Sequence, residues 1–231
     1  MKSYQISLEG DELNKKLGGG LPQGGIILIE APNGLGKSIL SQRFTYGLLQ
    51  NSTTVSYFST ELPVAGFISQ MESVGYTIKQ DFLNKDLKFV SIFSNMVPVN
   101  NFDNLIEDVV KHKEFMDSDV IVIDALSDFL VNRDLTKKES FKLLRDFKKA
   151  TMSEKTLIIT VDPDEVNEHI HTLLQSTSTV YLQMRTEEQF GNKVNLLSVK
   201  RFNVAQGTLE NNLTFKVRPG VGIVVEIASG S

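Results

Sequence analysis

The stretch Ile26-Ile27-Leu28-Ile29-Glu30-Ala31-Pro32-Asn33-Gly34-Leu35-Gly36-Lys37-Ser38-Ile39-Leu40 decides the fold. Four successive apolar residues closed by Glu30 read as a short strand covered on both faces. Residues Ala31–Ser38 then fit the phosphate-loop pattern G-x-x-x-x-G-K-[ST], with Ala in place of the first Gly. Beyond the loop, Leu40, Phe44, Leu48 and Leu49 share one side of a helix expected from Lys37 to about Gln50. Strand, loop and helix follow in the order phosphate binding requires. Small residues let the backbone wrap a phosphate with its N–H groups inward, and the helix N-terminus adds positive dipole. Lys37 is expected to reach the β- and γ-phosphates, and the Ser38 hydroxyl to ligate Mg²⁺. Residues Asn33, Gly34, Leu35, Gly36, Lys37, Ser38 and Ile39 are therefore the expected nucleotide-binding set. Average composition gives such a match by chance in roughly one chain in fifty of this length, and its place between a strand and a helix lowers that further.

Outward from the loop, strands and helices alternate. Val55 to Phe58 reads as a strand ending in Ser59-Thr60-Glu61, and Pro63 opens a helix with Val64, Phe67, Ile68, Met71 and Val74 inward, stopped by Gly75. Leu87 to Ile92 is an expected strand, and Phe102, Leu105, Ile106, Val109 and Val110 mark a helical face. Val120 to Ile123 is a strand ending in Asp124. Thr136-Lys137-Lys138-Glu139 reads as a capping box opening a helix with Phe141, Leu144 and Phe147 inward. A strand over Leu157 to Val161 and a helix near Glu165 to Gln175 follow. From about Thr179 the pattern changes to strands at Val180–Met184, Val194–Phe202, Leu213–Val217 and Ile223–Ile227. The expected fold is α/β: a mostly parallel central sheet flanked by helices, with antiparallel strands at its C-terminal end. No repeat or linker divides residues 1–231, which read as a single domain.

Three carboxylates end strands near the loop. Asp124 suits the Mg²⁺ hydration shell, against the alternative of a turn or cap residue. Glu61 suits a base for a water attacking the γ-phosphate; a first-turn acid for the helix after Pro63 reads about as well. Asp162 reads first as a turn residue before Pro163 and second as a phosphate sensor through Thr160 or a bound water.

Composition narrows the classes. The 231-residue chain has a formal net charge of −4 and no cysteine. Disulfides, iron–sulfur clusters and thiol catalysis are excluded, and bulk charge gives no support to nucleic-acid binding. No apolar run has the length of a membrane span, so a cytoplasmic protein without membrane insertion is expected.

The run Leu17-Gly18-Gly19-Gly20-Leu21-Pro22-Gln23-Gly24-Gly25 leading into the loop resembles the entry to RecA/KaiC-type ATPase cores. Ser59-Thr60-Glu61, Asp124 and Lys200 keep that family's order. Ser41-Gln42-Arg43-Phe44-Thr45-Tyr46-Gly47 and Phe215-Lys216-Val217-Arg218-Pro219-Gly220-Val221-Gly222-Ile223 are similar to the archaellum H proteins, single-domain KaiC-like components of the archaeal motility motor. That resemblance implies ATP as the nucleotide and a nucleotide-dependent homo-oligomeric ring, a hexamer. It also implies partners: the motor ATPase, a polytopic membrane platform and a cytoplasmic scaffold ring, which would recruit the protein to the inner face of the membrane. Glu61 would be the catalytic glutamate, and Lys200 the cation projected to a neighbour's γ-phosphate. The family often carries Arg two residues after that Lys; here the position is Phe202, with Arg201 shifted by one. The expected result is a site that holds ATP with slow hydrolysis or none. The alternatives are a RecA-type DNA-dependent ATPase, or an autokinase acting on Ser59 or Thr60. The basic run Lys137, Lys138, Lys142, Lys148 and Lys149 reads as a solvated face. His169 and His171 also read as solvated, and Phe44, Phe102 and Phe141 as core.

Overall fold

Alternation along the strands dictates how the sheet is covered. A computed structural model describes residues 2–91, 117–131, 135–152, 154–189 and 191–226. Its strands are β1 (Ser3–Tyr4), β2 (Leu21–Pro22), β3 (Ile26–Glu30), β4 (Val55–Ser59), β5 (Leu87–Ser91), β6 (Val120–Asp124), β7 (Thr156–Val161), β8 (Val180–Gln189), β9 (Asn192–Phe202), β10 (Asn212–Arg218) and β11 (Gly222–Glu226). Its helices are α1 (Leu13–Lys16), α2 (Lys37–Gln50), α3 (Val64–Ser73), α4 (Lys79–Asn84), α5 (Leu126–Leu130), α6 (Lys137–Thr151) and α7 (Glu168–Thr177). Nine strands form the main sheet in the order β11-β10-β9-β8-β3-β7-β6-β4-β5. The six from β8 to β5 are parallel, and β9, β10 and β11 continue antiparallel from β8. This is the α/β architecture expected from the sequence. The helical face at Phe102–Val110 lies outside the described residues.

Successive side chains of β3 enter different cores. Ile27 and Ile29 pack with Leu40, Phe44 and Leu48 of α2. Ile26 and Leu28 pack on the opposite face with Phe147 of α6 and Ile170 and Leu174 of α7. A strand covered on both faces has no polar alternation, which is why β3, β6 and β7 read as continuous apolar runs. The capping box of α6 has both its bonds, from Glu139 N–H to the Thr136 hydroxyl and from Thr136 N–H to the Glu139 carboxylate. Gly75 ends α3 at φ +83°, and a Cβ there would lie 2.3 Å from the Gly220 carbonyl oxygen in the β10–β11 turn. That contact docks the C-terminal hairpin against α3.

The sequence reading needs correction in several places. Phe141 is 60% exposed. The buried residues of α6 are Ser140, Leu143, Leu144, Asp146, Phe147 and Ala150, and Phe141 falls outside them, about 100° round the helix from Ser140. Strand β8 runs on to Gln189, well past Met184, because β8 and β9 pair as a long hairpin whose polar outer end gives no apolar signal. His171 is not simply solvated, since its Nε2 lies 2.7 Å from the buried Glu30 carboxylate.

Candidate functional site

Register brings the chemistry to one edge of the sheet. Glu30 pairs with Val161, and Ser59 with Asp124, so β3, β7, β6 and β4 end at one level. The phosphate loop leaves β3 there, at the crevice where parallel α/β sheets take ligands. Gly36 stands before α2 at φ +92°, a left-handed turn that aims the helix N-terminus back over the loop. Pro32, Asn33 and Gly34 are exposed, whereas Lys37 is buried. The Lys37 ammonium donates to Asn33 Oδ1 across the loop. Asn33 is held in turn: its N–H donates to Asp162 Oδ2 at 2.7 Å and its amide nitrogen to Glu165 Oε1 at 2.7 Å. Asp162 is also the turn residue that the sequence suggested, since its other oxygen accepts from Asp164 N–H.

Asp124 is 1% exposed at the end of β6. The Tyr57 hydroxyl donates to its Oδ2 at 2.8 Å, and the Thr160 hydroxyl to its Oδ1 at 2.7 Å. Thr160 comes from β7, which lies between β3 and β6, so it bridges the strand carrying the loop and the strand carrying Asp124. Neither Tyr57 nor Thr160 was singled out as a support of Asp124, because nothing local in the sequence pairs them with it. Burial pushes the Asp124 carboxyl up, against the lowering effect of Thr160, Tyr57 and Ser38 and the Lys37 charge.

Glu61 faces the loop. The Ser38 hydroxyl donates to its Oε2 at 3.3 Å. Pro63 precedes α3 with no side-chain cap, and Ser59 Oγ accepts the Leu62 N–H at 3.0 Å. The alternative role as a first-turn acid therefore has no bond behind it. Burial raises the Glu61 carboxyl, Asp124 raises it further, and Lys37 opposes both.

The loop geometry suits a Mg-triphosphate. Its N-terminal half is open, with nothing within 4 Å of a Cβ built at Gly34, and it is backed by one buried cation and two carboxyls raised chiefly by burial. The carboxyls want a cation, and the loop donors want an anion.

Lys200 lies elsewhere. It is the extra residue of a β-bulge, because Tyr181 pairs with Arg201 and Leu182 with Val199. The bulge leaves Lys200 exposed on β9, two strands from β3, and it bonds to none of the loop residues. Arg201 points inward, donating to the Gln175 and Ser178 carbonyls at the C-terminal end of α7 at 2.5 and 3.1 Å. A cation on the last carbonyls of a helix is a structural placement.

The family model for the ATPase KaiC matches residues 10–226. The chain belongs to the KaiC ATPase family. Within it the similarity is to proteins named archaeal flagellar ATP-binding protein FlaH. The Methanocaldococcus jannaschii protein is 34% identical over 229 residues, covering 99% of this chain and 98% of that one. The Methanococcus voltae protein is also 34% identical, covering 99% of each. At this identity over the full length, the chain belongs among the FlaH proteins. A crystal structure of the flagellar accessory protein FlaH from M. jannaschii superposes with a TM-score of 0.87 at 33% identity, covering 98% of this chain and all of that one. A KaiC-like protein of Pyrococcus horikoshii shares the fold at 16% identity and a TM-score of 0.78, covering 98% of this chain and all of that one. Membership in this family implies nucleotide binding. Among the described residues no helix is long and apolar enough to cross a membrane.

A pH test follows for Asp124. Its carboxyl is raised from the ordinary value of 3.8, so the folded, nucleotide-free chain holds a proton more readily than the unfolded chain. The stability this gives is present in full below the unfolded pKa and is lost as pH rises through the folded one. Asp124→Asn removes the loss. The nucleotide-free variant is expected to melt higher than the wild type at pH 7, with the gap closing toward pH 4, and to lose Mg²⁺-dependent tightening of nucleotide binding. Melting curves at both pH values check this, and a variant that melts lower at pH 7 contradicts it.

Proposed function

We propose that this protein is the ATP-binding subunit of an archaeal flagellar motor, a single domain that holds Mg-ATP and assembles with it into a ring, hexameric by family resemblance. The motor ATPase, a polytopic membrane platform and a cytoplasmic scaffold ring are the proposed partners, and its place is the cytoplasmic side of the membrane. The family and the flagellar names of its full-length relatives support this reading.

The residues divide the work at the loop. Lys37 and the loop N–H groups hold the β- and γ-phosphates. Ser38 and Asp124 would hold Mg²⁺, which would offset charge on the phosphate oxygens. Glu61 takes the proton of a water placed at the γ-phosphate. Lys200, lifted on its bulge, reaches a neighbouring subunit's γ-phosphate.

The observation that carries slow turnover is the position of Arg201. Its guanidinium is committed to α7, and Phe202 supplies no charge, so the segment presents Lys200 alone. Cations at the γ-phosphate accelerate phosphoryl transfer by about 10³–10⁵ where an Arg is supplied. A segment with one cation suits a nucleotide that selects the ring by differential affinity.

Mass in solution with and without Mg-ATP, with released phosphate followed in the same sample, tests the proposal. A shift from monomer to ring with little phosphate supports it, whereas a monomer under both conditions overturns it. Lys200→Ala is expected to weaken the ring in Mg-ATP while leaving monomer affinity unchanged. Light scattering that shows the same assembly in the variant would remove the finger role.

A further inference from the structure

Glu30 is the last residue of β3 and the covalent neighbour of the phosphate loop, and it is 2% exposed. Its Oε1 accepts from Gln183 at 3.0 Å. Its Oε2 lies 2.7 Å from His171 Nε2, 2.8 Å from the Tyr181 hydroxyl and 3.2 Å from the Gln175 amide nitrogen. Donor accounting fixes the arrangement. A carboxylate only accepts, so His171 carries its proton on Nε2, Tyr181 donates its hydroxyl, and Gln175 spends its two amide protons on Glu30 and on the Tyr181 oxygen at 2.9 Å. The 2.9 Å approach of Gln175 to His171 Nε2 then joins two donors and is no hydrogen bond. Burial raises the Glu30 carboxyl, but the four donors outweigh it and hold the group ionised, below its ordinary value. A satisfied buried carboxylate of this kind fixes the geometry of what it touches.

Gln175 belongs to a second contact. Its carbonyl accepts the Arg201 guanidinium at 2.5 Å, and Arg201 directly follows the bulged Lys200. One residue thus touches both ends: its backbone is clamped by the neighbour of Lys200, and its side chain holds the root of the loop.

We propose that Arg201, Gln175 and Glu30 are positioning residues that join the Lys200 bulge to the phosphate loop of the same subunit, so that Lys200 engaged on a neighbour's nucleotide tightens the subunit's own grip on ATP. This rests on the ring reading above and adds cooperativity between its sites. The path is continuous: bulge, guanidinium, α7 C-terminal carbonyl, Gln175 amide, Glu30, loop. Coupling by such a path requires a measured interaction between its ends.

The test compares the affinity of a fluorescent ATP analogue with Mg²⁺ for dilute monomer and for protein at ring-forming concentration. The wild type is expected to bind about 5–150 times more tightly in the ring, the usual span of site coupling. Gln175→Leu is expected to cut that ratio toward one with monomer affinity within about twofold, the gain in assembly that Mg-ATP gives falling in step with it by linkage, and Gln175→Leu with Lys200→Ala to go no further. Arg201→Gln attacks the same path from the other end and should behave alike if Gln175→Leu melts early. If both Gln175→Leu and Arg201→Gln keep the wild-type ratio while Lys200→Ala abolishes it, the path is overturned and the ring reading stands. If Gln175→Leu weakens monomer and ring equally, its role is structural only and the proposal fails. A wild-type ring no tighter than the monomer defeats both this coupling and the nucleotide-gated ring on which it rests, and an unchanged ratio in Lys200→Ala removes the finger and the coupling together.

Discussion

Lys37→Ala is expected to abolish tight binding of Mg-ATP without unfolding the chain. Lys37 is the first residue of α2 and is 4% exposed, with its ammonium on Asn33 Oδ1. Alanine is the best helix former and this position has no packing duty in either apolar core, so α2 should persist. The binding loss is large because the cation is already desolvated and aimed. Truncating one partner of a buried charge pair costs about 2–5 kcal/mol, a factor of roughly thirty to several thousand in affinity. The loop would also keep Asp124 and Glu61 without the charge that opposes their burial. Calorimetric titration gives the affinity directly. Melting gives it indirectly, since ligand at 100 times its dissociation constant stabilises by about 2.7 kcal/mol; the wild type should show that gain and the variant should not. An unchanged affinity would sink the nucleotide reading of the loop.

What made this site legible was locality. The loop, its entering strand and its helix occupy one unbroken run, and each element's residues state its own requirement: apolar for β3, small for the turn, Lys37 and Ser38 for the phosphate. Asp124 was legible for the same reason, as the polar end of an apolar strand. The supports of Asp124 were not. Tyr57 sits in the middle of β4 and Thr160 on β7, and only the strand order, with β6 between β4 and β7, brings both hydroxyls to one carboxylate. Sheet order is a long-range property that periodicity does not carry. The Glu30 cluster is hidden likewise, because His171, Gln175, Tyr181 and Gln183 reach that carboxylate only through the packing of α7 and β8 beside β3. Arg201 is legible only in part: its offset by one from the family position removes the expected second cation, but where the guanidinium goes instead depends on the register shift at Tyr181/Leu182, which turns it inward. The polar end of the β8–β9 hairpin, Arg185 to Gln189, was lost because neither of its faces is apolar throughout.

Glu61→Gln is expected to separate binding from hydrolysis. The carboxylate stands two residues beyond the end of β4, half-buried, with the Ser38 hydroxyl 3.3 Å from its Oε2. Gln has the same length and keeps an oxygen to accept that hydroxyl, so the loop should be undisturbed and Mg-ATP affinity should stay within a few fold. What Gln lacks is the capacity to take a proton. A positioned general base contributes about 10²–10⁴ to a rate, and the raised Glu61 carboxyl moves toward the range where a base works best near neutral pH. Whatever phosphate release the wild type shows should therefore fall by about that factor. The two measurements are decisive together. Equal turnover in both proteins would strip Glu61 of a catalytic role and leave Ser38 as its only duty. A fall in turnover matched by an equal fall in affinity would place Glu61 in holding the nucleotide rather than in cleaving it. A ring that forms in Mg-ATP with Glu61→Gln as with the wild type, yet persists far longer, would show that hydrolysis times disassembly. The slow chemistry expected from a lone Lys200 would then be a clock on the assembled state.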